Sequence, residues 1–182
     1  LYQFIHAQTI VLPDNWIFTI GDDPAYKNEV IDESKWIKIR VPGNWEDQGF
    51  PNYDGFAWYR LHFEVDEDLG EQPLYLFLGK IDDLDETFLN GVKIGSSGTF
   101  PPDPITAWNE QRACKIPANL LKKYNVIAIR TYDIFSPGGI HSGLIGILNE
   151  KEYEYEMNPP KGAKKSFYQM PTANGLIAAV YN

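Results

Sequence analysis

Clustered carboxylates are the first feature of this sequence that could do chemistry. Asp82, Asp83, Asp85 and Glu86 lie close together in the chain, and two such groups can hydrolyse a glycoside when about 5–9.5 Å separates them across a cleft. Neighbouring strand residues point to opposite faces of a sheet, and acidic residues before a strand are typical of turns and solvated surfaces. The spacing therefore favours a structural role over catalysis.

Nucleophilic and metal-assisted catalysis lack their sequence signatures as well. No serine lies in a nucleophile-elbow motif, and Cys114 lies in a strand-like run where a buried, inert thiol is usual. The histidines His6, His62 and His141 do not have the spacing of metal ligands on a helix or hairpin. We therefore expect no catalytic residues and no metal site.

Calcium is the one ion that the carboxylates suggest. Carboxylate oxygens are the ligands that Ca²⁺ prefers, and the candidates are the pairs Asp22-Asp23 and Asp82-Asp83. Neither pair has the spacing of an EF-hand loop, and paired aspartates are common in turns. We predict turns and no cofactor, with a structural calcium as the alternative.

Aromatic and charged side chains that alternate along predicted strands suggest carbohydrate binding instead. Trp58 and Arg60 share one strand face, and Arg130 and Tyr132 share a face of another strand. If Asp85 joins them, they form a surface on which sugars can stack and hydrogen-bond. The alternative is a structural ion pair between Asp85 and one of the arginines, most directly Arg60.

The predicted loops supply a second candidate surface. Tyr53 and Asp54 precede one strand, and Trp108 and Arg112 lie in or after a loop that contains Pro101-Pro102-Asp103-Pro104. Proline stiffens that loop, so it can hold an indole ring toward solvent at low entropic cost. A role for Trp108 as a plug at the end of the core is the alternative.

Short strands must position these residues. The pattern of apolar runs, with 15 Gly and 13 Pro in the chain, indicates an all-β sandwich. Asn90-Gly91 between two such runs predicts a type I′ hairpin, and only 116–123 suits a helical turn. The predicted strands are 16–20, 36–41, 57–65, 73–78, 85–90, 111–115, 126–132 and 143–148.

Charge and composition exclude several functions. The 182 residues carry a net charge of −9, so no basic surface is available for nucleic acid. No apolar run reaches the ~18 residues of a membrane span. A single cysteine excludes an internal disulfide.

The chain divides into three parts by composition. Residues 1–12 form an N-terminal segment in which 1–8 resemble the end of a secretory signal, an ordinary strand being the alternative. Residues 13–148 contain the sandwich. Residues 149–182 begin as a charged, proline-bearing linker and end in an apolar run over 172–181, which predicts a following domain or an extra strand on the sandwich. We expect a secreted or periplasmic protein, with a cell-surface location as a further option.

Three segments resemble known domain families. PGNWE at 42–46 with DGFAWYR at 54–60 is similar to the sugar-binding β-sandwich of glycoside hydrolase family 2. LGKIDDLDETFLNGVKIG at 78–95 resembles the galactose-binding-like domain within sialate O-acetylesterases, and 116–140 resembles the end of the same domains. The resemblance covers most of the chain, from Pro13 to Leu148.

This resemblance implies a galactose-binding-like jelly-roll β-sandwich whose catalytic partners lie in separate domains. It also implies that the loop before the Trp-Tyr-Arg strand, with Asn52 and Asp54, could complete a neighbouring active site. We therefore expect a non-catalytic carbohydrate-binding or accessory module. Its partner is a glycan or the catalytic domain of the same polypeptide. The alternative is a purely structural interdomain module with no ligand of its own.

Overall fold

Two antiparallel sheets pack against each other and enclose the core. The computed structural model describes residues 10–65, 72–135 and 137–161. Within these ranges, one sheet has the strand order β3-β2-β4-β9-β6-β7 and the other has the order β1-β10-β5-β8. The strands are β1 Ile10–Val11, β2 Asn15–Ile20, β3 Ile37–Arg40, β4 Gly55–Glu64, β5 Leu74–Asp82, β6 Leu84–Leu89, β7 Val92–Ser97, β8 Arg112–Ile116, β9 Tyr124–Asp133 and β10 Gly139–Asn149.

The predicted all-β sandwich is confirmed, and so is its hairpin. Asn90 and Gly91 have φ angles of 50° and 78° and join β6 to β7, because an Asn-Gly pair adopts the left-handed conformations that this turn requires. The segment 116–123, which could hold a short helical turn, contains one hydrogen-bonded turn, with Leu120 N donating to the carbonyl of Pro117 at 3.2 Å, and no helix. Short 3₁₀ turns instead lie at Pro24–Lys27 and Glu46–Gln48.

Part of the expected linker is helical. Helix α1 spans Glu150–Met157 and begins with a capping box, in which Asn149 Oδ1 accepts from Glu152 N and Glu152 Oε2 accepts from Asn149 N. Tyr153 stacks on Tyr75 of β5 with ring centroids 4.0 Å apart. The helix is therefore anchored to the outside of the four-stranded sheet. The described helices are too short to span a membrane.

Alternation along the strands fills the core from both sheets. On β4, Tyr59 and Leu61 point inward, and they pack in one cluster with residues of β5 and β10 such as Leu76 and Ile147. Trp45 is fully buried and donates from Nε1 to the carbonyl of Tyr53 at 3.1 Å. Trp45 is therefore the aromatic plug that closes one end of the core.

Two expectations fall outside the described residues. These are the signal-like segment at 1–8 and the strand-like run at 172–181. The domain limits at 12 and 148 and the location of the protein stay predictions.

Candidate functional site

The predicted binding residues separate into three places. We call the solvent side of β2, β4, β9 and β6 the outer face, and the end where β4 begins and β5 and β9 end the loop end. Trp58, Arg60, Arg130 and Tyr132 lie on the outer face, Asp85 and Arg112 lie in the interior, and Tyr53, Asp54 and Trp108 lie at the loop end. The structure does not bring the nine residues together.

A loop covers the outer face at Arg60. The side chain of Arg60 is fully buried, and its Nε donates to Glu33 Oε1 at 2.5 Å. Three of its four other N–H groups donate to backbone carbonyls within residues 26–29 at 2.6–3.1 Å. Burial lowers the pKa of Arg60, and the contact with Glu33 opposes this shift. The expected Arg60–Asp85 pair is therefore wrong, and Arg60 instead anchors the loop over 21–36.

Trp58 is covered by the same loop. Its side chain is only 1% exposed and packs against Phe88 and Tyr26, each with ring centroids 5.9 Å away. Stacking on a sugar requires an open ring face. Trp58 does not present one in this structure.

Arg130 is also compensated by neighbouring groups. It forms a two-pronged contact with Asp22 at 2.6 and 2.7 Å and donates to Glu86 at 3.0 Å. Its guanidinium lies 4.7 and 4.4 Å from the ring centroids of Phe56 and Phe100, a cation–π arrangement. The contact with Asp22 raises its pKa.

Tyr132, beside Arg130 on the outer face, packs edge-on against Phe56 at 4.6 Å. The outer face is therefore a network of paired charges and packed rings.

Asp85 faces the core rather than the outer face. It lies opposite Thr131 in the sheet, whereas Glu86 lies opposite Arg130. Arg112 reaches across from the other sheet, and its Nε donates to Asp85 Oδ1 at 2.7 Å. Burial raises the pKa of Asp85, and Arg112 opposes the shift. The hypothesis that Asp85 shares a face with Arg60 and Arg130 is wrong.

Arg112 has no donor left for a ligand. Its four other N–H groups bind carbonyl oxygens at 2.5–3.2 Å. The carbonyls belong to Ile81, Asp83, Ala107 and Glu110. Arg112 therefore fixes the backbone of the loop end instead of lining its surface.

Trp108 remains at the surface on a fixed backbone. Its side chain is 52% exposed. The backbone N–H of Trp108 donates to Thr106 Oγ1 at 3.2 Å, and the backbone N–H of Ala107 donates to the carbonyl of Asp83 at 2.8 Å. The expectation that a stiff loop holds Trp108 toward solvent agrees with this exposure.

Tyr53 supports the loop end from inside. Its hydroxyl donates to the carbonyl of Phe56 at 2.6 Å, and its ring packs against Trp45. Asp54 beside it is exposed. Ligand binding by Tyr53, Asp54, Trp108, Arg130 and Tyr132 stays a prediction.

Three carboxylates converge at the loop end, and we call Asp82, Asp83 and Asp133 the acidic cluster. One oxygen of each lies within 4.8 Å of the others. Asp83 accepts from the hydroxyl of Thr106 and, at 2.9 Å, from the N–H of Ile134. Asp133 is fully buried, and neither of its carboxylate oxygens has a hydrogen-bond partner among the described residues.

The acidic cluster is electrostatically unfavourable as it stands. Burial, and then the charges of Asp83 and Asp82, raise the pKa of Asp133 to about 7. Burial and a hydrogen bond with Asp83 raise the pKa of Asp82 to about 7. Sequence reasoning did not find this cluster, because Asp133 lies some fifty residues from the other two. It comes close to them only when the ends of β5 and β9 lie side by side in the folded protein.

The two acidic pairs proposed as calcium ligands differ in structure. Asp22 binds Arg130, and Asp23 Oδ1 accepts from Ala25 N at 2.8 Å at the start of the 3₁₀ turn, so the prediction of a turn is confirmed there. Asp82 and Asp83 are instead half-buried and buried. They do not form the solvated turn that we expected.

Comparisons with known proteins support the fold. No family model matches the chain. A protein of Formosa agariphila that bears the name β-glucuronidase is 27% identical over 94 residues, which cover 45% of this chain and 9% of that protein. The chain therefore spans less than a tenth of this curated relative.

Comparison with solved structures also finds β-glucuronidases. β-Glucuronidase 2 of Bacteroides uniformis matches with a TM-score of 0.64 and 21% identity, over 78% of this chain and 18% of that one. A β-glucuronidase from glycoside hydrolase family 2 matches with a TM-score of 0.65, 15% identity and coverages of 81% and 18%. The Ruminococcus gnavus β-glucuronidase matches with a TM-score of 0.61, 16% identity and coverages of 81% and 29%.

These matches place the chain in a class of fold. It shares the β-sandwich of one part of family 2 β-glucuronidases, so the resemblance to that family is confirmed at the level of the fold. The resemblance to sialate O-acetylesterases stays a prediction.

Proposed function

We propose that the chain is a non-catalytic accessory module of a glycoside hydrolase and that its loop end contacts carbohydrate. One observation carries the proposal: Trp108 is half exposed on a backbone that several hydrogen bonds fix, whereas a loop covers the ring of Trp58 on the outer face. A fixed, exposed indole loses little entropy on binding. It can therefore stack on the apolar face of a sugar ring.

Stacking is the contribution that a shallow sugar site needs. A hydroxyl moved from water to a protein partner contributes only about 0.5–1.5 kcal/mol, so buried ring area must supply the rest of the affinity. Asp54 is exposed at the same end. In this proposal Trp108 supplies the stacking area, and Asp54 accepts hydrogen bonds from sugar hydroxyls.

The acidic cluster does not have the geometry of a glycosidase site. Catalytic carboxyl groups lie about 5–5.5 Å or 6.5–9.5 Å apart and flank an open cleft. In the cluster, one oxygen of each carboxylate lies within 4.8 Å of the others, and Asp83 and Asp133 are buried. The proposal therefore assigns catalysis to another domain.

The similar proteins suggest which hydrolase the module serves. The chain corresponds to 18% of the length of the Bacteroides uniformis β-glucuronidase 2. In our proposal the catalytic partner acts on β-glucuronides, and the glycans in the vicinity of the module contain glucuronic acid. The net charge of −9 opposes an anionic sugar, so neutral residues of the same glycan are the expected contact.

A structural interdomain module is the second candidate. Ile105, Trp108 and Phe135 are exposed apolar side chains in the 98–111 loop and beyond the end of β9. Such groups also suit contact with another domain. In that case the same surface binds protein rather than glycan.

A glycan array followed by calorimetry tests the proposal. We expect the chain to bind at least one oligosaccharide, and Trp108→Ala to weaken binding about tenfold or more, the loss of about 1.4 kcal/mol of stacking. Ile105→Ala is the matched control, because Ile105 lies on the same loop and is 63% exposed. We expect it to bind within about twofold of the wild type.

Two results would contradict carbohydrate binding by this chain. Circular dichroism confirms that each variant is folded. If the folded wild-type chain binds no glycan, or if Trp108→Ala and Ile105→Ala bind equally well, the proposal of carbohydrate binding is wrong. The structural role then replaces it.

A further inference from the structure

We propose that the acidic cluster is a binding site for a divalent cation, and that Ca²⁺ is the ion that fits it best. The site lies where β5, β6 and β9 meet at the loop end, beneath the loop that carries Trp108. This proposal does not depend on glycan binding.

The spacing of the oxygens fits one ion. Ca²⁺ binds oxygen ligands at about 2.3–2.6 Å, so two oxygens on the same ion lie at most about 5 Å apart. One carboxylate oxygen each from Asp82, Asp83 and Asp133 satisfies this limit, since all three lie within 4.8 Å of one another. The spacing is therefore compatible with one ion shared by all three carboxylates.

Asp133 independently indicates a missing ligand. It is fully buried, and both carboxylate oxygens are without a partner in the described part of the chain. Buried carboxylates are normally paired, hydrogen-bonded or bound to metal, because leaving one without a partner is costly. One of the Asp133 oxygens points toward Asp82 and Asp83, where a cation would satisfy it.

Glu46 adds a fourth carboxylate to the same region. Its Oε1 accepts from the N–H of Gly138 at 3.0 Å, and its Oε2 is buried without a partner among the described residues. Gly138 lies against Asp133 as well, because a Cβ there would come within 2.8 Å of Asp133 Oδ2. The same Cβ would meet the ring of Trp45 first, so glycine at 138 leaves space for both the Trp45 ring and the Asp133 carboxylate.

The charge of Arg112 acts on Asp82 and lowers its pKa against the larger effect of burial, but Arg112 is not paired with any carboxylate of the cluster. The five N–H groups of Arg112 are already bound to Asp85 and to four carbonyls. Its charge is thus compensated by Asp85, to which it is paired at 2.7 Å. Three carboxylates that form no ion pair within residues 10–65, 72–135 and 137–161 attract a divalent ion strongly.

The donor set selects the ion. All the candidate ligands are oxygens, which favours Ca²⁺ or Mg²⁺ over zinc, since zinc prefers histidine and cysteine. Asp82 and Asp133 end β5 and β9, Asp83 directly follows Asp82, and Asp82 is partly exposed, which leaves room for water ligands. Ca²⁺ accepts such irregular coordination, whereas Mg²⁺ requires a near-ideal octahedron.

A bound ion would join two loops to the sheet. Asp83 accepts hydrogen bonds from Thr106 in the Trp108 loop and from Ile134 beyond the end of β9. An ion on Asp83 and Asp133 would tie these segments together. We therefore expect Ca²⁺ to stabilise the loop end.

Thermal unfolding of the chelator-treated chain tests the proposal. At a free Ca²⁺ concentration 100-fold above the Kd, we expect the Tm to rise by about 5–10 °C. Equimolar Mg²⁺ should raise it less. Terbium should also luminesce when bound, because the indole of Trp45 lies against Gly138 beside Asp133 and can transfer its excitation.

Two variants identify the site. Asp133→Asn should abolish the Ca²⁺-dependent rise and the terbium signal, while Asp103→Asn, an exposed acid in the 98–111 loop, should keep both. If Asp133→Asn does not fold, Asp82→Asn replaces it with the same expected loss. The proposal is wrong if Ca²⁺ neither shifts the wild-type Tm nor produces binding heat at millimolar concentration, or if the folded cluster variants respond like the wild type.

Discussion

The outer face and the loop end both contain buried or half-buried charged side chains, but only those of the outer face are all paired with groups of opposite charge. On the outer face, Arg60 pairs with Glu33, and Arg130 pairs with Asp22 and Glu86. At the loop end, the acidic cluster has no such partner among the described residues, because Arg112 is bound to Asp85. Compensated charges hold the fold together, whereas uncompensated ones indicate a site that a ligand completes.

The difference follows from what burial costs. Moving a charge out of water is unfavourable by several kcal/mol unless a partner of opposite sign or hydrogen bonds replace the water. On the outer face, the loop over 21–36 supplies the partners of opposite charge, Glu33 for Arg60 and Asp22 for Arg130. At the loop end Asp83 meets it through hydrogen bonds from Thr106 and Ile134, but Asp133 does not among the described residues.

The largest effect should come from breaking the interior pair. Asp85→Ala leaves the Arg112 guanidinium buried without its carboxylate, so we expect the free energy of unfolding to fall by about 3–5 kcal/mol. Urea denaturation measures this. Lys122→Ala is the control, because Lys122 and Glu29 form an exposed pair that contributes under about 1 kcal/mol. Equal losses in the two variants would contradict the assignment of Asp85 and Arg112 to the interior.

A smaller effect should follow when the loop over the outer face loses its anchor. Glu33→Gln keeps the shape of the side chain but removes the charge that faces Arg60, and we expect a loss of about 1–3 kcal/mol. Hydrogen exchange should accelerate over 21–36 and not at the loop end. Unchanged exchange over 21–36 would show that Arg60 does not hold this loop.

The pH dependence of the metal-free chain sharpens the comparison. The pKa values of Asp82 and Asp133 are raised from 3.8 to about 7, so the folded state binds protons that the unfolded chain releases near pH 4. Their stabilising effect is complete below about pH 4 and is lost as the pH rises through about 7, by up to about 1 kcal/mol per pH unit for Asp133.

Denaturation in the presence of chelator between pH 5 and pH 8 measures this slope. Asp133→Asn should make it shallower, because asparagine does not titrate, and should leave the part that comes from Asp82. A stability that rises with pH over this range in the wild type would contradict the account of the acidic cluster.

The smallest effect should come from the exposed indole. Trp108→Ala removes a half-exposed ring, so we expect the free energy of unfolding to change by less than about 1 kcal/mol. Trp45→Ala empties the core plug and should cost about 3–5 kcal/mol. If Trp108→Ala is as destabilising as Trp45→Ala, Trp108 is part of the core and not of a binding surface.

Local patterns in the sequence were sufficient to predict most of the strands. Alternation predicted most strands of the sandwich, and Asn90-Gly91 predicted the β6–β7 turn. The same alternation groups Asp85 with Leu89 on one side of β6, and this parity already indicated that Asp85 faces the core. The prediction that Asp85 pairs with Arg60 did not take this alternation into account.

Contacts between distant segments could not be predicted from one sequence. Glu33 lies in a long irregular loop, so no periodicity relates it to Arg60. Asp133 meets Asp82 and Asp83 only after the two sheets have formed. Helix α1 carries charges on nearly every side, and its capping residues Asn149 and Glu152 were the one local signal for it.

We propose that the loop end, and not the outer face, is the functional surface. Amide chemical shifts of the isotope-labelled chain test this directly, first with Ca²⁺ and then with a glycan selected on the array. We expect the largest shifts within 98–111 and 133–135 and beside Asp54, while 21–36 is unchanged. Shifts concentrated over 21–36, or none with either ligand, would contradict it.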